Sequence, residues 1–384
     1  MHLLSIVGAR PQFVKAAMIA EAIDRYNSPL PSDRRLVHTL VHTGQHYDAN
    51  MSECFFKELV LPQPKYNMGV GSGTHAEQTA AMLEMLEYIL TREHPDVAVV
   101  YGDTNSTLSG TLAAVKLQIP VAHVEAGLRS FNRQMPEEIN RVLTDHVSSL
   151  LFCPTGTAVD NLRREGIQDG VFLSGDVMLD AVLQWHTKLN SRPNVLDKIG
   201  VDWGSFVLLT IHRAENTDSP ERLSGLLESL LQLPHPVVFP IHPRTRARMQ
   251  TGTAGEAVWR AIHNSATFKV IEPVSYLDML ALEDNARIVV TDSGGVQKEA
   301  YFLGVPCVTL RKETEWIETL RDGWNTLVPP DDPWALHTAV SRLWEINGCG
   351  IRRNANRSAF GQGQAADQIV QTLADSVRTT MGCA

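Results

Sequence analysis

Short, continuous runs of apolar residues alternate with longer stretches of helical spacing along almost the whole chain. Leu3–Val7, Leu36–His42, Val97–Tyr101, Val121–Val124 and Leu150–Cys153 make a first set of runs. Phe206–Ile211, Val237–Ile241, Phe268–Ile271, Arg287–Thr291 and Cys307–Leu310 make a second, beyond the polar stretch Thr187–Asp202. Continuous rather than alternating hydrophobicity marks strands covered on both faces, which predicts parallel sheets with helices on each side. Helical patterns fill the gaps, from Gln12 to Tyr26 and from Gln364 to Val377. Another opens at Thr74-His-Ala-Glu77, a capping box followed by Met82, Leu86, Ile89 and Leu90 on one face. The pattern predicts an α/β protein of two doubly wound domains that face a shared cleft.

Composition narrows the class. A chain of 384 residues, 43% hydrophobic, suffices for two cores. A net charge of −9 argues against a nucleic-acid partner, whose phosphates need a dense basic surface. The five cysteines, Cys54, Cys153, Cys307, Cys349 and Cys383, form no C-x-x-C pair and read as reduced structural thiols. The first residues lack the basic start and long apolar stretch of a secretion signal, and no run reaches the roughly 18–20 apolar residues of a bilayer span. The expectation is a cytoplasmic protein with no membrane partner.

The chemistry gathers where the strands end, the place at which open parallel sheets bind ligands. Asp292-Ser293-Gly294-Gly295 stands between a strand and the helical run Val296–Leu303. Its glycines permit close backbone approach, and a helix start attracts phosphate; an ordinary Asp or Ser cap is the plainer alternative. Gly8-Ala9-Arg10-Pro11 makes a similar junction, with Arg10 and then Lys15 as candidate phosphate ligands. Asp103 and Glu125 follow buried strands, where desolvation suits a carboxylate to acid/base work. Asp103 reads equally as a helix cap, and Glu125 as a partner of Arg129. Glu137 and Glu138 open a helix, a place the helix dipole favours for acids in any case. His212 leaves a strand in His212-Arg213-Ala214-Glu215-Asn216, as a proton carrier, a phosphate partner or a structural histidine. Neither a metal-binding spacing nor a nicotinamide fingerprint is present, so no metal or cofactor is expected.

Taken together, GARPQFVK, HTGQHYD, VYGDTNSTL, HVEAGLRS, PEEINR, TIHRAEN, IHPRTR, TDSGGVQKEA and PCVTLRKETEW resemble, in order and over nearly the whole chain, the non-hydrolysing UDP-N-acetylglucosamine 2-epimerases. The resemblance implies two Rossmann-like domains of the GT-B type, with boundaries at 1–175 and 176–364. It also implies a C-terminal helix, 365–384, that packs back on the first domain, and a homodimer. The implied reaction is reversible inversion at C2 of a UDP-linked 2-acetamido sugar, by UDP elimination to a 2-acetamidoglucal and re-addition. Asp103, Glu125 and Glu137 match the family's catalytic carboxylates and His212 its functional histidine. Arg10, Lys15, Ser293, Gly294 and Gly295 match its UDP phosphate site, and Glu299 its ribose ligand. Gln45, His46 and His242 resemble a regulatory UDP-sugar site of some bacterial members. GARPQ in place of G-T-R-P-E, SGGVQKEA in place of S-G-G-I-Q-E-E-A, and a shortened segment from Gly127 to Pro136 resemble the branch acting on UDP-2,3-diacetamido-2,3-dideoxyglucuronate. In that case Arg133 would face the uronate carboxylate. UDP-N-acetylglucosamine is the alternative substrate. A hydrolysing epimerase, a GT-B glycosyltransferase and a non-catalytic sugar-nucleotide sensor are the alternative functions.

Overall fold

The computed structural model describes residues 1–45, 56, 58–189, 195–250, 253–346 and 357–381. Two compact units divide the chain, one comprising Met1–Leu183 with Arg357–Ala384, the other Gln184–Asn356. The first holds strands β1 (His2–Val7), β2 (Val37–His42), β3 (Tyr66–Asn67), β4 (Val97–Tyr101), β5 (Val121–Val124), β6 (Leu150–Cys153) and β7 (Val171–Leu173). They form one sheet in the order β3-β2-β1-β4-β5-β6-β7, every pairing parallel. Leu4, Ile6, Val41, Ala98 and Val100 of this sheet pack with Met82, Leu86, Ile89 and Leu90 of helix His75–Glu93. That helix opens on the expected capping box: Thr74 accepts from the Glu77 N–H at 3.2 Å, and Glu77 accepts from the Thr74 N–H at 2.9 Å.

The second unit repeats the plan with β8 (Val207–Thr210), β9 (Val237–Pro240), β10 (Phe268–Ile271), β11 (Ile288–Thr291), β12 (Cys307–Thr309) and β13 (Asn325–Leu327). Their order is β10-β9-β8-β11-β12-β13, again all parallel. Its core joins Leu209, Phe239 and Val290 to Leu226, Leu230, Ile262 and Leu336 of the covering helices.

In each sheet the winding reverses once, between β1 and β4 and between β8 and β11. Helices there leave neighbouring strands toward opposite faces, and a crevice opens at the strand ends. Gly8–Arg10 and Gly102–Asp103 fall at the first reversal, His212 and Asp292–Gly294 at the second.

The first unit extends past residue 175, into helix Val177–Leu189, and the returning segment begins at Arg357 rather than at 365. The reason is local: the Asp176 N–H donates to the Phe360 carbonyl at 2.8 Å, tying the return segment to the chain beside Gly175. Helix Ala365–Met381 then packs on helix Arg10–Asn27, burying Ile369, Val370, Leu373 and Ala374, with Arg25 bound to Asp367 at 2.7 Å. Among the described residues no helix is long and apolar enough to cross a membrane.

Candidate active site

In the first unit the crevice is fastened by Gln12. Its Oε1 accepts from the Gly8 and Ala9 N–H groups at 2.7 and 3.0 Å. Its Nε2 donates to the Tyr101 carbonyl at 2.7 Å and to the Thr104 and Thr107 hydroxyls at 2.9 Å each. One buried amide thus locks the end of β1 to the end of β4 and supplies acceptors for the start of helix Arg10–Asn27. Arg10, half-buried, is the first residue of that helix.

One turn on, Lys15 is buried and paired with Glu125. Its partner is thus itself a candidate acid/base group. Glu125 has a left-handed backbone, φ +77°, which turns the chain sharply out of β5. Gly102 faces the pair, also left-handed at φ +62°; a Cβ there would stand 3.2 Å from the Glu125 carboxylate and 3.5 Å from the Lys15 ammonium. Beside them lies a water-sized hollow, about 10 Å³, lined by Lys15, Glu125, Pro154 and Asp176.

Asp103 does not cap the helix that follows it. Thr104 does, accepting from the Thr107 N–H at 3.4 Å, which leaves the Asp103 carboxylate to pair with Arg141. Arg141 is buried on helix Pro136–Val147 and also meets Glu138 at 3.2 Å. Glu138 accepts from the Ser130 N–H (2.9 Å), the Ser130 hydroxyl (2.9 Å) and the Phe131 N–H (2.8 Å). It therefore fixes the short segment between Gly127 and Pro136. Glu137, its neighbour, is half-buried in the first helical turn and has no hydrogen-bond or ion-pair partner among the described residues.

Glu125 does not pair with Arg129. Arg129 instead grips Glu165 with two bonds of 2.7 Å and Asp145 with a third of 2.7 Å. Asp145, fully buried, also meets His123 Nδ1 at 2.7 Å. Burial pushes its carboxyl up, but its interactions with His123 and Arg129 outweigh that and hold it below the usual carboxylate range.

In the second unit, Ser293 is the cap of helix Gly294–Leu303, accepting from the Val296 N–H at 3.4 Å. Asp292 is thereby released for another task. Its carboxylate accepts from the His212 N–H at 3.0 Å, the Arg213 N–H at 2.9 Å and Asn216 Nδ2 at 3.0 Å, and lies 3.2 Å from His212 Nδ1. The histidine is thus held at the mouth of the glycine turn. Gly294 has a packing reason to lack a side chain, since a Cβ would reach 2.7 Å from Glu315 Oε1; at Gly295 the nearest atom, Ser293 Oγ, is 3.8 Å away. Glu299, buried one turn deeper, accepts from the Tyr276 hydroxyl at 2.8 Å.

Of the three residues matched to a regulatory site, two are described, one in each unit. Gln45, in the first unit, accepts from the Ser106 N–H and hydroxyl at 3.1 and 2.7 Å. His242, in the second, caps helix Pro243–Met249, its Nδ1 accepting from the Arg244 N–H at 3.2 Å, with its ring 5.5 Å from that of His212. His46 lies outside the described residues, as do Cys54, Cys349 and Cys383.

Sequence reasoning passed over Gln12, His123, Arg141 and Asp145 as individuals, and read Asp292 only as part of the glycine turn or as a helix cap. A signal existed for His123, the one strongly polar residue in the apolar run Val121–Val124.

Each unit is a doubly wound parallel sheet, one with carboxylates at its strand ends and the other with a glycine turn beside a fixed histidine. Residues 29–374 match the family described as UDP-N-acetylglucosamine 2-epimerase, and the chain belongs to that family: it is an isomerase acting on UDP-sugars. It is 47% identical to a UDP-N-acetylglucosamine 2-epimerase homolog of Methanococcus maripaludis over 97% of this chain and 99% of that protein. It is 44% identical to the UDP-2,3-diacetamido-2,3-dideoxy-D-glucuronate 2-epimerase of Pseudomonas aeruginosa, with the same coverage of both, 97% and 99%. Among solved structures, the UDP-GlcNAc 2-epimerase of Methanocaldococcus jannaschii in complex with UDP-GlcNAc and UDP superposes with a TM-score of 0.86 at 44% identity, over 97% of this chain and 99% of that one.

Proposed function

We propose that the protein inverts C2 of UDP-2,3-diacetamido-2,3-dideoxyglucuronate by elimination and re-addition of UDP. The C1–O bond breaks with its electron pair leaving on UDP, the C2 proton passes to a carboxylate, and a C1–C2 double bond forms. In the reverse step UDP re-adds at C1 while a proton arrives on the opposite face of C2. Such chemistry needs an acid/base group on each face of the ring and charge stabilisation for the departing diphosphate.

What supports this reading is the state of the three carboxylates. Asp103 is balanced by Arg141 and Glu125 by Lys15, while Glu137 has no partner among the described residues. In our assignment Asp103 and Glu137 exchange protons with C2, and Glu125 assists close by. His212 meets the leaving diphosphate, Arg10, Ser293, Gly294 and Gly295 hold its phosphates, and Glu299 holds the ribose. The uronate is favoured by the 44% identical relative that bears its name and by Arg133, exposed and without an ion-pair partner among the described residues. UDP-N-acetylglucosamine is the second reading, favoured by the names of the relatives that are 47% and 44% identical. A homodimer accompanies either reading, and light scattering should return twice the chain mass.

The test is proton NMR of purified protein with each UDP-sugar in heavy water. The H1–H2 coupling reports configuration, and the expected product carries deuterium at C2. Epimer without that label would rule out elimination, and no epimer from either sugar would rule out the function.

A further inference from the structure

Three segments bear the candidate carboxylates: the end of β4, the end of β5, and helix Pro136–Val147. One buried pair touches all three. His123, on β5 and fully buried, donates from Nε2 to the Gly102 carbonyl at 2.7 Å, the peptide unit that leads into Asp103. Its Nδ1 meets Asp145 Oδ1 at 2.7 Å, and Asp145 belongs to the helix that begins beside Glu137 and carries Arg141, the partner of Asp103. The other oxygen, Asp145 Oδ2, accepts from the Gly127 N–H at 3.0 Å, two residues past Glu125. Both ring nitrogens of His123 face oxygen atoms of the surrounding fold, so the ring is tied at both ends. The two peptides that the pair steadies, one by the ring and one by Asp145, adjoin Gly102 (φ +62°) and Gly127 (φ +79°), where the chain departs from sheet geometry on either side of the candidate carboxylates Asp103 and Glu125.

We propose that His123, held by Asp145, is a positioning residue for the epimerisation: through the Gly102 carbonyl it keeps Asp103 in register with Glu125 and Glu137. The inference rests on the function proposed above. Two isosteric changes separate the bonds the ring makes. In His123→Gln the amide nitrogen reaches the place of Nε2 and keeps the Gly102 contact; in His123→Asn it reaches the place of Nδ1 and keeps only Asp145.

His123→Asn should lose roughly 10–100-fold in kcat with KM little changed, as expected when reacting groups are misplaced by a fraction of an ångström to an ångström. His123→Gln should stay within about fivefold of wild type. Amide hydrogen exchange gives a readout independent of turnover. The Gly102 N–H, bonded to the Val124 carbonyl at 3.0 Å, should exchange faster in His123→Asn than in His123→Gln. If His123→Asn does not fold, Asp145→Asn replaces it, with the same loss of kcat expected. Equal kcat in both histidine variants, equal Gly102 protection in both, or full kcat in Asp145→Asn would overturn the proposal. An inactive wild type would instead sink the functional reading, with exchange at Gly102 still deciding the positioning role.

Discussion

Gln12 and Lys15 sit one turn apart on the same helix, and each is committed to a single polar task. Replacing Gln12 by Ala leaves the Gly8 and Ala9 N–H groups without their acceptor in a buried setting. At about 1–3 kcal/mol for each buried group left unsatisfied, a loss of roughly 2–6 kcal/mol is expected for the two. Urea denaturation should show it as a lower midpoint at unchanged m. For Lys15→Met the loss arises differently, because the largely buried Glu125 carboxylate loses the Lys15 ammonium beside it. Breaking such a pair costs about 3–5 kcal/mol, whereas removing both charges is near neutral. Lys15→Met with Glu125→Gln should therefore recover stability in the same denaturation experiment while remaining inactive by NMR; recovered activity would exclude Glu125 from the chemistry. These two residues also mark what sequence reveals at this scale. Their presence in a strand-to-helix junction was legible, but their partners lie 89 and 110 positions away in sequence, and a partner at that distance leaves no local pattern. The alternative readings of Asp103 as a cap and of Glu125 as a mate of Arg129 fell for the same reason.

Elements were legible in proportion to their burial. Val97–Tyr101, Val121–Val124, Leu150–Cys153 and Phe268–Ile271 coincide with their apolar runs, since all but the last lie within the sheet interior and even that one is rich in β-branched and aromatic residues. Tyr66–Asn67, Val171–Leu173 and Asn325–Leu327 were not expected; each is two or three residues long at a sheet edge, with no continuous apolar run to announce it. Helix Ala365–Met381 was foreseen by its spacing, yet its anchor was not. Asp180 accepts from the Ala366 N–H at 2.7 Å, and burial raises its carboxyl to about 6 even though the Ala366 and Ala365 N–H groups act the other way. A folded-state value above the unfolded one means that the native protein binds the proton more tightly. The contribution is thus fully present below about pH 4 and is lost as pH rises to about 6. Asp180→Asn keeps an acceptor for Ala366 without the charge. Its thermal stability should match wild type near pH 4 and exceed it by roughly 1–2 kcal/mol at pH 7.5. That lies below the ~3 kcal/mol ceiling set by the shift because an amide nitrogen would occupy the position of Oδ1, which is unsatisfied in the native fold. A variant less stable than wild type at pH 7.5 would mean that the charge serves the helix start.

Across the whole molecule the same strand order appears twice, and polar residues gather at the reversal point in each unit. That much could be read from motifs placed after apolar runs, because doubly wound sheets put ligands nowhere else. The division of labour between the units is open to one ligand test. If the turn at Ser293 to Glu299 takes the nucleotide, UDP should stabilise the protein by mass action, about 2.7 kcal/mol at 100 times Kd. The two glycines of the turn then part company. Gly294→Ala would push a Cβ to 2.7 Å from Glu315 Oε1, so it should lower the melting temperature with or without UDP. Gly295→Ala finds no protein atom nearer than 3.8 Å and trades a helical glycine for alanine, so the unliganded protein should melt at the wild-type temperature or slightly above. Its added methyl group nevertheless stands in the turn where a phosphate would approach, and the UDP-induced shift should shrink or vanish. A full UDP shift in Gly295→Ala, measured by differential scanning calorimetry, would move the nucleotide away from this helix start and take the assignments of Ser293, Gly294 and Gly295 with it.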